Sequence, residues 1–587
     1  MKSQPAITKR VKVLFGIMAA FGFIFVIRLF YLQVIKYDYY QNQAVAEHLK
    51  ELTIPATRGV IYAMNGPDSI TPLVLNEPAY TLYADPQDVH NAKETAQDIA
   101  NVIGGNVGTY TKLLSANSLE YVVLATKLNL SQYNKINNLQ LYGVGLTQVQ
   151  ERVYPEGSLA SQVLGFVDQN GVGQYGVEGA LNGMLAGQDG LLKATTDVRG
   201  IPLSTSKEDV LQPAKNGQNI LLTIDRNIQN EAQTALVNGL KAAHATTGSV
   251  LVMNPSNGDV LAMANVPTYD PSNYQDVTNY SDFQNNTVDY AYEPGSDFKL
   301  LTMTAAVNQG AVTPNTTFNN TGTVTVDGDT IGNVESHPGS TTMQVVIDLS
   351  LNTGAVFMLQ QLGGGQIDQQ GKTLLYNYFT QKYGFGQKTG IEQTGEDAGT
   401  IYSPTNVQGD DIRYANMTFG QGIDATMIQV ASAFDAIVNG GTYYKPQLLA
   451  GTVNDQGQVI STTKPDVERA GIITPQTAST IKQVAVTALD ATPTLTAINT
   501  PGYFTGGKTG TSQVIDPATG AYTNVDPIGT YLGFGGGSGS NATPKYVIMI
   551  RVDNSHIPGY SGSTAAAPIF ANISNWLINY YGLQPTS

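Results

Sequence analysis

Between Val13 and Ile27 lie fifteen consecutive residues with no charged or strongly polar side chain, and after Arg28 the apolar run continues to Ile35, 23 residues in all. In lipid a segment must satisfy its own backbone polar groups, and a helix does so. At 1.5 Å per residue this one reaches about 34 Å, enough to cross a hydrocarbon core of about 30 Å, with Arg28 near one end where its head can snorkel. Lys2, Lys9, Arg10 and Lys12 all precede the run. The positive-inside rule then predicts a cytoplasmic tail at 1–12, a single-pass anchor at 13–35 in the plasma membrane, and an extracytoplasmic remainder. No A-x-A-like cleavage site follows, so an uncleaved anchor is expected rather than a signal peptide. No second run of this length occurs, and the rest of the chain is expected to fold in water on a tether.

With 587 residues in total, two to four domains are expected at roughly 100–200 residues each. A net charge of −15 disfavours nucleic-acid binding, because such a surface repels phosphate. There is no cysteine, and the five histidines are scattered without helical ligand spacing, so neither a metal centre nor another cofactor is expected. Residues 36–50 read as a helical neck and open a first region, 36–215, of short strands and helices. The polar stretch 203–217 carries Pro, ends in Asn-Gly and marks the passage to a second domain at 216–587. That domain begins with a strand at 219–225, a helix to residue 243, and a hairpin at 248–264 around the turn Asn254 to Gly258. Helical patterns dominate 296–440, β-rich runs return at 440–460 and 500–552, and a last helix is expected at 565–581. One antiparallel sheet with helices, an α/β (α+β) domain, fits this order. The Gly-rich segment 533–541 lies between two β-runs and reads as a mobile hairpin loop, since a phosphate cradle needs a following helix.

Serine and lysine at i and i+3 share a helix face, so the amine can take the hydroxyl proton without histidine. The pattern S-x-x-K occurs at Ser204, Ser296, Ser461 and Ser479. Only Ser296 follows a turn, Glu293-Pro294-Gly295, and opens a helix-compatible apolar run, which sets it where free N–H groups and the helix dipole favour negative charge. A capping serine is the plainer alternative for this residue alone. Fifty-four positions on, Ser350-Leu351-Asn352 offers a hydroxyl and an amide from a helix end or loop. A further 156 positions beyond Asn352, Lys508-Thr509-Gly510-Thr511 reads as a strand with Lys508 and Gly510 on one face and the threonines on the other. Lys388-Thr389-Gly390 repeats the triplet in a turn-rich stretch without the leading apolar strand.

S-x-x-K, S-x-N and K-T-G in this order are the signature of the penicillin-recognising serine enzymes. EPGSDFK, SLNTGAV and FTGGKTGTSQ resemble the transpeptidase boxes of class B penicillin-binding proteins, the membrane-anchored, monofunctional peptidoglycan transpeptidases. TRGVI (57–61), ERVYPEGSLASQVLGF (151–166) and GQYGVEGALNGMLAG (173–187) are similar to that family's pedestal, or dimerisation-domain, boxes. LLTIDRNIQ (221–229), MNPSNGDVLAMAN (253–265), GFGQKTGI (384–391) and FGQGIDATMIQVASAF (419–434) are similar to its catalytic framework, which accounts for the second K-T-G. The likeness runs from the anchor to about residue 550.

The resemblance implies a β-lactamase-like transpeptidase domain on an α+β pedestal, acting on stem peptides ending in D-Ala-D-Ala and acylated by β-lactams. It implies Ser296 as nucleophile, Lys299 as acylation base with a pKa lowered by Lys508, Ser350 as proton relay, and Asn352 as the residue that positions Lys299 and bonds the substrate amide. Thr509, Gly510 and Thr511 line the substrate strand, where Lys508, Thr509 and Thr511 hold the terminal carboxylate. Backbone N–H groups of Ser296 and Thr511 form the oxyanion hole. A multi-span glycan polymerase of the shape, elongation, division and sporulation class is the implied partner, and the division type is favoured over the elongation type by length and a single span. Four positions depart from the family pattern: Asp297 replaces the usual Thr after the nucleophile, Leu351 is the middle residue of S-x-N, Ala63-Met64 replaces Asp-Arg in the first pedestal box, and Gln162 stands where His is frequent. Asp297 is expected to set an anion beside the oxyanion hole and to weaken binding of carboxylate-bearing β-lactams. Hydrolytic alternatives, a D,D-carboxypeptidase or a β-lactamase, lack a motif-grade glutamate to activate water. A non-catalytic sensor or scaffold is the other alternative, and an intact set of catalytic residue types argues against it.

Overall fold

The computed structural model describes residues 9–40, 49–195, 210–491, 501–515, 522–559 and 562–585. The chain divides into two compact units, Met1–Arg58 with Gly187–Gly217, and Gly59–Ala186 with Gln218–Ser587.

In the first unit, helix α1 (Lys9–Phe30) runs on into a wider turn, Tyr31–Ile35. Its side chains are exposed along its whole length, as an apolar helix needs if lipid is to cover it. Among the described residues this is the one helix long and apolar enough to cross a membrane. Of the expected helical neck at 36–50, residues 37–40 are helical and a strand has begun by Leu49; residues 41–48 lie outside the described part. That strand, Leu49–Ile54, pairs antiparallel with Gly190–Thr195, which pairs with Val210–Gln212. The Ala56 N–H donates to Asp189 Oδ1 at 2.7 Å and the Thr57 N–H to Asn216 Oδ1 at 3.0 Å, tying the two stretches of this unit together.

The second unit contains two large sheets. In the first, of seven strands, Asn219–Asp225 is central: it pairs antiparallel with Leu449–Val453 and parallel with Ile61–Met64, which continues into Ile70–Ala84, flanked by Val122–Leu128 and Val144–Val153. The sequence places this strand in a single antiparallel sheet of a second domain, whereas it joins strands from both regions. The cause is its composition, a near-continuous apolar run buried at six of seven positions, which suits a strand covered on both faces. In this part of the unit, buried Arg152 donates to Glu178 Oε1 at 2.7 Å, joining two of the pedestal-like boxes. Gln162 donates to the Pro267 and Asp282 carbonyls at 2.9 and 3.0 Å.

The second sheet carries five antiparallel strands, β1 (Thr247–Asn254), β2 (Asp259–Val266), β3 (Phe504–Ile515), β4 (Tyr522–Gly537) and β5 (Tyr546–Asp553), in the order β2-β1-β5-β4-β3. The β1–β2 hairpin turns at Asn254 to Gly258 as the sequence predicts. The Gly-rich segment differs from expectation: 533–537 are not loop but the end of β4, paired with β5 and β3. Glycine serves there because aromatic rings lie against the backbone; a Cβ on Gly535 would meet Tyr546 Oη at 2.3 Å and one on Gly533 would meet Phe570 at 2.7 Å.

Helices α2 (Arg226–Ala242), α3 (Phe298–Asn308), α4 (Met343–Asp348), α5 (Asn352–Leu362), α6 (Met427–Val438) and α7 (Ala567–Tyr580) are among those that frame this sheet and the site. Alternation along the strands feeds two cores. Val250, Val252, Ile548 and Ile550 pack with α2 and α7, while Leu251, Met253, Val547 and Met549 pack with α3 and α6. A sheet buried on both faces leaves little freedom at its edges, and β3 is one of the two.

Candidate active site

Pro294, with φ −65°, leads into the 3₁₀ turn Gly295–Asp297, which passes straight into α3. Ser296 therefore sits one short turn earlier than a regular first helical turn, half-exposed, while Lys299 on the next turn is fully buried. Gly295 has φ +76°, and a Cβ on it would lie 2.6 Å from Ser512 Oγ, so glycine is required for the nucleophile turn to lie against β3. Ser512 Oγ in turn donates to the Glu293 carbonyl.

Four oxygen atoms surround Lys299 Nζ: Ser296 Oγ at 2.7 Å, Asn352 Oδ1 at 2.8 Å, the Ser350 carbonyl at 2.9 Å and Ser350 Oγ at 3.1 Å. An ammonium has three N–H groups, one fewer than these partners. The amide oxygen and the carbonyl can only accept, whereas a serine hydroxyl can donate, so the arrangement suits a neutral amine receiving a proton from Ser296. Burial, and after it the cation of Lys508, push the Lys299 amine well below its ordinary range. Burial is thus a larger cause than the lysine–lysine repulsion the sequence suggests.

Ser350 lies between α4 and α5 with φ +55°, a left-handed conformation uncommon for a residue with a side chain. That turn aims both its carbonyl and its hydroxyl at Lys299. Asn352 opens α5, and its Nδ2 donates to the Gly332 carbonyl at 3.0 Å, which orients Oδ1 toward Lys299. Leu351 is wholly buried beneath them, so the middle position of S-x-N is a packing residue here. Thr353 and Asn333 brace the start of α5, with the Thr353 N–H donating to Asn333 Oδ1 at 3.0 Å.

On β3, Lys508, Gly510 and Ser512 are buried and Thr509 and Thr511 half-exposed, the alternation expected of the strand. Lys508 Nζ donates to the Thr509 carbonyl and Oγ1 at 3.0 and 3.2 Å, and burial lowers its pKa to about 8. Thr511 Oγ1 accepts from the Gly562 N–H at 3.3 Å. Ser296, Lys299, Ser350 and Asn352 thus form one hydrogen-bonded cluster, and Lys508 joins it electrostatically from the neighbouring strand.

The other S-x-x-K matches do not assemble in this way. Lys482, three residues after Ser479, donates instead to the Ala542 carbonyl at 2.6 Å; Ser461 is exposed on a strand; Ser204 lies outside the described residues. In the second K-T-G, the Thr389 N–H, Thr389 Oγ1 and Gly390 N–H all donate to the Glu396 carboxylate, at 2.6, 2.5 and 3.0 Å, as in a structural loop.

Asp297 departs from expectation. Its side chain is fully buried, and Oδ2 accepts from Thr530 Oγ1 at 2.9 Å, so it turns behind β3 and presents no carboxylate to the cleft. Thr530, in the middle of β4, belongs to no motif and escapes sequence reasoning, as do Asn333 and Gly332. Only a lone polar residue in the apolar run around TYLGF hints at Thr530. Among the described residues no cluster of His, Asp or Glu could hold a metal ion.

Two family models match the chain, the penicillin-binding protein transpeptidase domain over residues 248–575 and the penicillin-binding protein dimerisation domain over 53–222. Stage V sporulation protein D of Bacillus subtilis is 30% identical over 562 residues, covering 95% of this chain and 83% of its own. The probable peptidoglycan D,D-transpeptidase PbpC of Pseudomonas aeruginosa is 28% identical and covers 95% of this chain and 93% of its own. Among solved structures, penicillin-binding protein 3 from Mycobacterium tuberculosis in complex with aztreonam superposes with a TM-score of 0.68 at 26% identity, covering 91% of this chain and 99% of that one.

Proposed function

Since the chain belongs to the class B penicillin-binding proteins, which join a dimerisation domain to a transpeptidase domain, we propose that it cross-links peptidoglycan as a serine D,D-transpeptidase and is acylated by β-lactams. The observation that carries this is the 2.7 Å contact between buried Lys299 Nζ and Ser296 Oγ, held by Ser350 and Asn352.

Lys299 takes the Ser296 proton as Oγ attacks the carbonyl of the penultimate D-alanine of a stem peptide. The oxyanion settles between the N–H groups of Ser296 and Thr511, donors of a kind whose single loss costs about 10²–10³ in turnover. Ser350, in contact with Lys299, relays the proton to the departing D-alanine amine. The amine of a second stem then attacks the acyl-enzyme and gives the cross-link. Asn352 holds Lys299 and bonds the substrate amide, and Lys508, Thr509 and Thr511 receive the terminal carboxylate. Thr509 and Thr511 are half-exposed on β3, as this requires.

Residues 1–12 are assigned to the cytoplasm, 13–35 to a single span, 36–215 to the pedestal and 216–587 to the transpeptidase domain outside the plasma membrane; the basic tail and the exposed apolar helix support that topology. A multi-span glycan polymerase is the partner proposed for anchor and pedestal, and division the process.

The test is fluorescent-penicillin labelling of the full-length protein in detergent, followed by a stem-peptide thioester with D-alanine as acceptor. Label absent from Ser296→Ala and present in Ser479→Ala, with amide product exceeding free acid, is expected. Label retained by Ser296→Ala sinks the assignment, and free acid alone makes the protein a carboxypeptidase.

A further inference from the structure

Asp297 touches neither cleft nor solvent, yet it lies next to the nucleophile and is bonded to the sheet. Strand register explains what surrounds it. Gly510 of β3 faces Thr530 of β4, and Thr530 faces Arg551 of β5, so these three form a row on the sheet face that packs against α3. Thr530 Oγ1 donates to Asp297 Oδ2, while a Cβ on Gly510 would fall 2.1 Å from that hydroxyl and 3.3 Å from Asp297 Cγ. The nucleophile turn is therefore seated on β3 at two points: Ser512 with Glu293, and the Thr530–Asp297 bond over Gly510. Oδ1 of Asp297 is buried without a hydrogen-bond partner.

The charged and titratable groups facing this carboxyl come from three sides. Lys299 on α3 and Lys508 on β3 are the cations that act on it. Tyr292, on the segment before the nucleophile turn, has a buried hydroxyl without a partner and feels both Asp297 and Arg551. Arg551 stacks 4.0 and 4.6 Å from the Tyr290 and Tyr292 ring centroids and donates to Asp553 Oδ1 at 2.7 Å, so its charge already has a partner. Lys508 also feels Asp348 at the end of α4, whose Oδ1 accepts from Gln344 Nε2 at 2.7 Å, so Asp297 is the one carboxyl that acts on both active-site lysines.

We propose that Asp297 is a positioning residue for acylation: through Thr530 it seats the nucleophile turn on β3, and its charge sets how readily Lys299 and Lys508 release their protons. The proposal rests on the acylation chemistry proposed above. Its electrostatic half follows from sign alone. An ionised Asp297 holds protons on both lysines, whereas a neutral one frees Lys299 to act as base and Lys508 to lose the charge that receives a carboxylate. Burial raises the Asp297 carboxyl to about 7, so its charge changes near neutral pH.

Asparagine keeps the acceptor for Thr530 and removes the charge. In Asp297→Asn both lysines lose a stabilising anion, so both limbs of the pH profile for acylation by fluorescent penicillin, measured on the full-length protein, move to lower pH by about one unit. Thr530→Val withdraws the bond that favours the ionised carboxyl, so Asp297 stays neutral to higher pH and the limbs move the same way by less. Melting temperatures of both variants are recorded alongside. A rate that falls equally at every pH, with both limbs unmoved, means a purely structural residue and overturns the proposal. Absence of labelling in the parent protein overturns the function itself, and this inference with it.

Discussion

Gly510→Ala tests whether the close seating of the nucleophile turn on β3 sets the site geometry. Gly510 pairs with Thr530, and an added Cβ would sit 2.1 Å from Thr530 Oγ1, 3.0 Å from the Pro294 carbonyl and 3.3 Å from Asp297 Cγ. Opening the first contact to the 3.0 Å that real Cβ atoms keep requires a shift of about 0.9 Å. Thr530 is fully buried and bonded, and Pro294 belongs to the nucleophile turn, so the strain falls on the spacing between Ser296 and β3. Overpacking of this kind costs about 1–3 kcal/mol. A misplacement near 1 Å in a reacting geometry costs about 10²-fold in rate. Denaturant unfolding of the full-length protein in detergent and the penicillin acylation rate measure the two effects. Gly183→Ala is the matched control, because a Cβ added to that helical glycine would meet nothing within 4 Å, and alanine there is expected to stabilise by about 0.5–1 kcal/mol. A Gly510→Ala protein that unfolds and acylates like the parent would show that the strand gives way freely, and the reasoning would fail.

Arg152→Ala takes one ion-pair partner from Glu178, which is wholly buried; breaking such a pair costs up to about 3–5 kcal/mol, read as a lower unfolding midpoint, while Ser296 still acylates in the protein that remains folded. Asp435 on α6 is fully buried and neither carboxylate oxygen has a hydrogen-bond partner, so burial raises its pKa well above 3.8. The folded state then holds a proton that the unfolded state releases, and the protein loses stability as pH rises above about 4 toward the folded-state value. Asp435→Asn removes that dependence, so its melting temperature should gain on the parent between pH 5 and pH 8; parallel curves would refute the neutral carboxyl.

Local periodicity accounts for what was legible in the sequence. The i, i+3 spacing places Ser296 and Lys299 within reach of each other, the alternation around Lys508 divides the strand into a buried and an open face, and the turn at Asn254 to Gly258 closes the first hairpin. Each depends on neighbours within a few residues, where chain geometry alone limits the outcome. The apolar run of α1 belongs to the same class, since its length is compared with a membrane and not with the rest of the protein.

Contacts between distant segments lie beyond such periodicities. Ser350 and Asn352 reach Lys299 across 51 and 53 residues, and the left-handed turn at Ser350 that makes this possible carries no glycine to announce it. Thr530 meets Asp297 across 233 residues through the pairing of β3 with β4. Asp297 shows the consequence most clearly. By sequence it is an anion beside the nucleophile; in the fold, α3 buries it against the sheet, where desolvation, opposed by the Thr530 hydroxyl and the two neighbouring lysines, decides whether it carries charge at all. Residue types and their spacing determined which groups are available for acyl transfer. Only tertiary packing decided their protonation and aim, because burial and long-range register set the local dielectric and the partners of each side chain.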